Sequence, residues 1–152
     1  MVRQRVLIAV RSILTGWAML LTISYLLERP LLFWSEPVLG GSWFSTAQLA
    51  LDCCSFTATG WAVSYWSRAD SLFPVLAFAA TLIPWDLNPV LDVNVPWLLH
   101  LVVETFRDTR YLDSLVATAG SHILLFGSLI VGSRLGRPSG AALVSVFHDV
   151  QR

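Results

Sequence analysis

The chain has 152 residues, of which 55% are hydrophobic and 13% are charged, and its formal net charge is zero. A typical soluble domain carries about 25% charged residues, so this composition, with a mean hydropathy of +0.65, indicates a single integral membrane domain. The neutral charge balance excludes the basic surface that nucleic-acid-binding proteins use.

The first predicted transmembrane span covers residues 12–33, and Arg11 precedes it at the membrane surface. Its apolar run is too long for the core of a signal peptide, so we predict an uncleaved span. Glu28 and Pro30 lie within this span near its far end, where a proline can break or kink a helix. We therefore expect Glu28 close to the outer interface.

The second predicted span covers residues 43–66 and contains a single charged residue, Asp52. At a rise of about 1.5 Å per residue it is long enough to cross a hydrocarbon core of about 30 Å. A turn of about 100° per residue places its polar side chains in one narrow stripe, which consists of Ser45, Gln48, Asp52, Ser55 and Thr59. Such a stripe is expected to face other helices or a wet cavity.

The third predicted span, residues 72–85, is short, so it either crosses a locally thinned bilayer or forms a re-entrant segment. A loop follows with four oxygen-bearing side chains, Asp86, Asn88, Asp92 and Asn94. The central glycine and closing glutamate of an EF-hand are missing, which disfavours a calcium loop. Asx-turns beside the neighbouring prolines are the preferred interpretation.

The pattern after Pro96 predicts an amphipathic helix over residues 97–108 that lies in the membrane interface between the third and fourth spans. His100 and Glu104 are four residues apart on its polar side. We interpret them as a solvated i,i+4 pair, because two ligands on an exposed face specify a metal site poorly.

The fourth predicted span covers residues 114–133, and residues 134–152 form a tail. Small residues recur at every fourth position, at Ser128, Gly132, Gly136 and Gly140. Such a ladder of small residues allows another helix to approach closely. The fold class predicted from these segments is an all-α bundle of four transmembrane helices with one interfacial helix.

The arginines predict the orientation of this bundle. With four spans, one side carries Arg3, Arg5, Arg11, Arg68, Arg134, Arg137 and Arg152, and the other carries Arg29, Arg107 and Arg110. The excess of positive residues marks the cytoplasmic side. We therefore expect both termini in the cytoplasm, in a plasma (inner) membrane.

The candidate site is a pair of ionisable residues, Asp52 and His122, which counting along the helices places at similar depth near the membrane midplane. Gln48, Ser55, Thr59 and Ser121 would extend it. The functional interpretation is a proton- or cation-binding pair, since ionisable groups inside membranes often mark ion pathways. The structural interpretation is a buried polar contact that fixes the helix register.

Two functions follow from this sequence. The first is an accessory or structural subunit that packs in a homo-oligomer or against a larger membrane protein, as the ladder of small residues suggests. The alternative is a small transporter or channel-like carrier that uses Asp52 and His122. No catalytic motif of the usual kinds is present, so an enzymatic role is disfavoured. No cofactor is assigned. His122 could ligate a haem, but a single histidine is not a specific signal for one.

Overall fold

The computed structural model describes residues 2–39, 41–67, 72–84 and 94–137. Every regular element in these ranges is helical, which confirms the all-α prediction for the described part of the chain. The elements, in order, are α1 (Val2–Ile23), a π-helical turn (Ser24–Glu28), α2 (Arg29–Leu39), α3 (Gly41–Ser67), α4 (Phe73–Leu82), α5 (Val95–Arg107), a 3-10 turn (Thr109–Tyr111) and α6 (Leu112–Leu135). The predicted tail beyond residue 137 lies outside the described residues.

The first helix continues through Pro30 instead of breaking there. Proline has no backbone N–H, so the carbonyl of Leu26 loses its α-helical partner. The chain accommodates this with a wider turn, in which the Arg29 N–H donates to the carbonyl of Ser24, five residues earlier. The helix then extends to Leu39, beyond the predicted limit of the first span.

The closest helix contact lies between α3 and α6, and glycine makes it possible. Gly132 lies against the backbone of Thr57, and Gly136 lies against the backbone of Trp61. These two pairs advance in the same direction along both helices, so α3 and α6 run parallel. The ladder of small residues is thus used inside the chain, while its last member, Gly140, lies outside the described residues.

The core is formed by α1, α3, α4 and α6. Its buried apolar side chains are Leu20, Phe56, Val63, Val75, Phe78, Leu82, Leu125 and Leu129. The short helix α4 is anchored to α1 by Trp17, whose Nε1–H donates to Thr81 Oγ1 at 3.0 Å. Phe78 fills the space that the missing side chain of Gly16 leaves open. These contacts hold α4 in the bundle despite its length of 10 residues.

Two of the described helices are long and apolar enough to cross a membrane, over Arg3–Trp34 and Thr109–Leu135. Only 17% and 22% of their most apolar windows are buried in the fold. A buried core helix or an N-terminal signal sequence can also satisfy the length and composition criterion. The low burial distinguishes these helices from core helices, because their apolar side chains face outward.

The helix predicted between the third and fourth spans is present as α5. The side chain of Asn94 caps it, because Asn94 Oδ1 accepts a hydrogen bond from the Trp97 N–H at 2.8 Å. Asn94 is thus a helix cap, which the prediction of Asx-turns did not specify. Asp86, Asn88 and Asp92 lie outside the described residues. Leu101 is the buried residue of α5, and Phe106 is 89% exposed.

The predicted i,i+4 pair between His100 and Glu104 is wrong. Glu104 accepts instead from the Arg107 guanidinium at 3.1 Å, one helical turn further on. The fully charged guanidinium is the stronger partner for a carboxylate. The His100 ring packs against Trp97, with 5.2 Å between the ring centroids.

Asp108 gives a pH-dependent test of the α5–α6 connection. Its carboxylate accepts from the Arg110 side chain at 2.8 Å and from the Arg110 N–H at 3.0 Å. These bonds lower the pKa of Asp108, and the bond from the Arg110 side chain has the larger effect. Desolvation raises the pKa by a smaller amount. Because the folded-state pKa is depressed, ionised Asp108 stabilises the fold above its unfolded-state pKa. That contribution is lost as the pH falls through the folded-state value.

We expect Arg110→Gln to raise the pKa of Asp108 toward its ordinary value, because the largest cause of the shift is removed. An NMR titration of the Asp108 carboxyl carbon measures this. Arg107→Gln is the matched control, since Arg107 pairs with Glu104, and it should leave the Asp108 titration unchanged. An identical titration in Arg110→Gln and in the unmodified chain would contradict the assignment.

Candidate functional site

The polar stripe of α3 is buried over its C-terminal part. Asp52, Ser55 and Thr59 are 1%, 3% and 0% exposed. Gln48 is half-buried, and Ser45, at the start of the stripe, is exposed. The prediction that the stripe faces other helices or a cavity is therefore confirmed for its last three residues.

The hydroxyl groups of this stripe bond mainly to their own helix. Thr59 Oγ1 donates to the carbonyl of Ser55 at 2.8 Å, and Ser55 Oγ donates to the carbonyl of Leu51 at 3.0 Å. Each of these bonds runs four residues back along the helix, which is the usual arrangement for hydroxyls in apolar helices. Ser55 Oγ also donates to a second acceptor, Glu28 Oε2, at the longer distance of 3.4 Å, and its lone pairs can accept from an incoming donor.

The stripe faces a second carboxylate, Glu28, which the sequence analysis placed near the outer interface. Glu28 is 2% exposed, and its Oε2 lies 3.4 Å from Ser55 Oγ. Its other oxygen, Oε1, is buried and has no hydrogen-bond partner among the described residues. The side chain of Glu28 is therefore enclosed by the bundle, which its predicted position along the first span did not indicate.

The position of Glu28 follows from the π-helical turn. The inward-facing residues of the first helix recur at every fourth position, at Ser12, Gly16, Leu20, Ser24 and Glu28. A straight α-helix of 3.6 residues per turn would rotate such a series steadily away from the core. The wider turn over Ser24–Glu28 changes the rotation between these two residues and keeps Glu28 on the same inward side as Ser24. The period of four was the signal available in the sequence.

His122 is buried, at 5% exposed, and its hydrogen bonds define its protonation state. Nδ1 lies 2.8 Å from the carbonyl of Thr118, and Nε2 lies 3.1 Å from the backbone N of Asn94. A carbonyl only accepts and an N–H only donates, so the ring is neutral with its proton on Nδ1.

Both ring nitrogens of His122 are thus taken by groups other than Asp52. The predicted pair of Asp52 and His122 receives no support from these contacts, and haem ligation would require one of the two bonds to break. Ser121 Oγ also donates to the carbonyl of Thr118, at 2.9 Å. The residues of α6 therefore form a separate polar group beside the start of α5.

The chain matches no protein-family model, no curated protein and no solved structure. Its site is interpreted from its own residues.

A groove of about 270 Å³ opens beside Glu28, between the first helix and α3. Ser55 and Cys54 join Glu28 as its polar lining. Its apolar lining consists of Ile23, Leu27, Leu31, Leu51 and Ala58. Among the described residues no basic side chain lines this groove, so the Glu28 carboxyl is its most strongly polar group.

A larger groove of about 710 Å³ lies between α4, α5 and α6. Its lining is apolar except for His122, whose ring nitrogens are already bonded. Of the two grooves, the one at Glu28 has a polar atom free to interact with a ligand. No cluster of three or more metal-ligating side chains occurs among the described residues.

Proposed function

We propose that this chain is a small membrane carrier that binds a proton or a small cation at carboxylates inside its helix bundle. The observation that carries the proposal is the burial of Glu28 and Asp52, at 2% and 1% exposed. A charged carboxylate at the centre of a membrane helix costs about 2.5–3.5 kcal/mol on insertion scales. A second carboxyl group, that of Glu28, is enclosed in the same small bundle, and this supports a function in ion handling.

The accessory role is the competing proposal, and the fold weakens its main argument. The ladder of small residues was the sequence feature that suggested a partner helix. Gly132 and Gly136 instead contact α3 of the same chain. The exposed apolar surface of the bundle is compatible with lipid alone and requires no protein partner.

The membrane location is itself part of the proposal. Large apolar side chains cover the outward faces of the first helix and α6, including Leu14 at 66%, Phe33 at 73% and Ile123 at 72% exposed. Soluble monomers rarely expose continuous apolar surfaces of this size. We place α1–α2, α3, α4 and α6 across a plasma membrane, with α5 in its outer interface and both termini in the cytoplasm.

This topology predicts the location of reporter fusions. A reporter fused after Arg68 and one fused after Gly136 should both be cytoplasmic, because two spans, α4 and α6, lie between the two fusion points. The arginine asymmetry is the reason for this orientation. A cytoplasmic reporter after Arg68 together with an external one after Gly136 would show that α4 does not cross.

Purified protein reconstituted in liposomes tests the function. With an imposed pH gradient, the protein should speed the decay of the gradient, and Asp52→Asn should reduce this rate about tenfold or more. Asp113→Asn is the matched control, because Asp113 is exposed at the start of α6. Equal rates in protein-free and protein-containing liposomes, with co-purification of a stoichiometric membrane partner, would favour the accessory role.

A further inference from the structure

We propose that the groove beside Glu28 binds a protonated amine that carries a small apolar body. This inference deepens the carrier proposal, on which it rests for its biological use, by naming the position and chemical class of the ligand. Its chemical basis is the geometry of the groove between the first helix and α3.

Glu28 places a carboxyl group on the groove wall. Within the described part of the chain, Glu28 Oε1 is buried without a hydrogen bond, and Oε2 has only the long 3.4 Å contact with Ser55 Oγ. Buried carboxylates are normally paired or hydrogen-bonded. The neighbouring basic residue, Arg29, places its guanidinium 4.8 Å from the centroid of the Tyr25 ring, and it does not line the groove. A cationic group from outside the chain would complete the environment of Glu28.

The groove lining favours an organic cation over a metal ion. Calcium takes six to eight oxygen ligands, and magnesium requires a nearly octahedral set. The side-chain oxygens that the described lining residues supply to the groove come from Glu28 and Ser55. Its remaining lining is aliphatic apart from the Cys54 thiol. This composition suits an ammonium group attached to a hydrocarbon better than a metal ion.

That ammonium group finds hydrogen-bond acceptors in the groove. Its N–H groups can donate to the Glu28 carboxylate when that side chain turns toward the groove, since Oε1 is buried and has no partner among the described residues. They can also donate to the lone pairs of Ser55 Oγ, which itself donates to the Leu51 carbonyl and lies 3.4 Å from Glu28 Oε2. A charge-assisted bond of this kind is stronger than a neutral one. The hydrocarbon then lies along Leu27, Leu31 and Ala58. The groove volume of about 270 Å³ equals roughly nine water molecules at about 30 Å³ each, enough for an amine of benzylamine size.

Calorimetry on the full-length protein in detergent tests this inference, with benzylamine as the probe and benzyl alcohol as its neutral counterpart. At neutral pH the amine is protonated, and we expect it to bind about tenfold more tightly than the alcohol or better. Glu28→Gln should abolish this preference, and Ser55→Ala should reduce it less. Glu104→Gln, an acidic residue on α5 paired with Arg107, should leave it unchanged.

Cys54 provides a second readout that requires no folded Glu28 variant. The chain has two cysteines, so Cys53→Ala leaves Cys54, on the groove wall, as the single thiol. Bound benzylamine should slow the alkylation of Cys54 by N-ethylmaleimide, whereas benzyl alcohol at equal concentration should not. Ala58→Leu, which fills the groove, should remove this protection.

Equal binding of amine and alcohol, or unchanged amine preference in Glu28→Gln, would overturn the inference, as would failure of benzylamine to protect Cys54. The failures of the two proposals are distinguishable. Amine binding without gradient decay in liposomes removes the carrier function and leaves this site. Gradient decay without a preference for the amine would reject the amine site and leave the carrier proposal standing.

The amine has two possible sources, a free metabolite or the headgroup of an ethanolamine lipid. Repeating the benzylamine titration in vesicles of phosphatidylcholine, with and without phosphatidylethanolamine, separates them. Competition by phosphatidylethanolamine assigns the site to a lipid amine, and the absence of competition assigns it to a free amine. Both results require the benzylamine preference that the inference predicts.

Discussion

Gly132→Ala should destabilise the bundle by about 2–3 kcal/mol, because even one added carbon overlaps the carbonyl of Thr57 on α3. The obstacle is backbone, which cannot move aside as the end of a flexible side chain can. The helices must therefore separate along their closest contact. Thermal unfolding of the purified protein in detergent measures the loss.

Gly127→Ala is the matched control on the same helix. No atom lies within 4 Å of the position that its added carbon would occupy. Alanine is the better helix former by about 0.8–1.0 kcal/mol, so this variant should be neutral or slightly more stable. Similar unfolding temperatures for the two alanine variants would show that α3 and α6 do not cross at Gly132.

His122→Ala should also cause a large loss, about 2–3 kcal/mol. The substitution removes the buried ring and leaves the Asn94 N–H without its acceptor, and a buried unsatisfied donor costs about 1–3 kcal/mol. His100→Ala is the matched control on α5. The His100 ring is exposed, so its removal should change the stability by less than about 0.5 kcal/mol.

The same variant tests the predicted pairing with Asp52. Because both His122 nitrogens bond elsewhere, the effects of His122→Ala and Asp52→Asn should add within about 0.5 kcal/mol. Unfolding measurements on the two single variants and the double variant provide the comparison. A coupling of about 1 kcal/mol or more would show that Asp52 and His122 do act as a pair.

The sequence was sufficient to predict the helices and the inward polar stripe of α3. Polar residues at helical spacing within an apolar segment must face protein or water, so Asp52, Ser55 and Thr59 could be placed in the interior. The capping role of Asn94 could also have been predicted, because it depends on a local side-chain bond just before Pro96.

Glu28 could not be placed from span boundaries alone. A charged residue two positions before a proline is typical of a helix end, and this pattern led to the prediction that Glu28 lies close to the outer interface. The π-helical turn changes the rotation of the helix by part of a turn, and this decides which residues face inward. Such a turn depends on packing against α3 as much as on Pro30.

The pairing of Asp52 with His122 stays a prediction that depends on a different property of the helices. Counting residues estimates the depth of a side chain in the membrane, but it does not give its direction around the helix. The ladder of small residues correctly predicted a close contact between helices. The sequence alone could not decide whether the partner helix belonged to the same chain.

The most direct test of the central claim, that carboxylates inside this bundle bind cations, is a current measurement on reconstituted membranes adsorbed to a solid support. A rapid jump in proton or benzylammonium concentration should produce a transient charge displacement. The double variant Glu28→Gln/Asp52→Asn should lose about nine-tenths of it or more, while Asp113→Asn should retain it. A transient of equal size in the double variant, or none with the unmodified protein, would contradict the account.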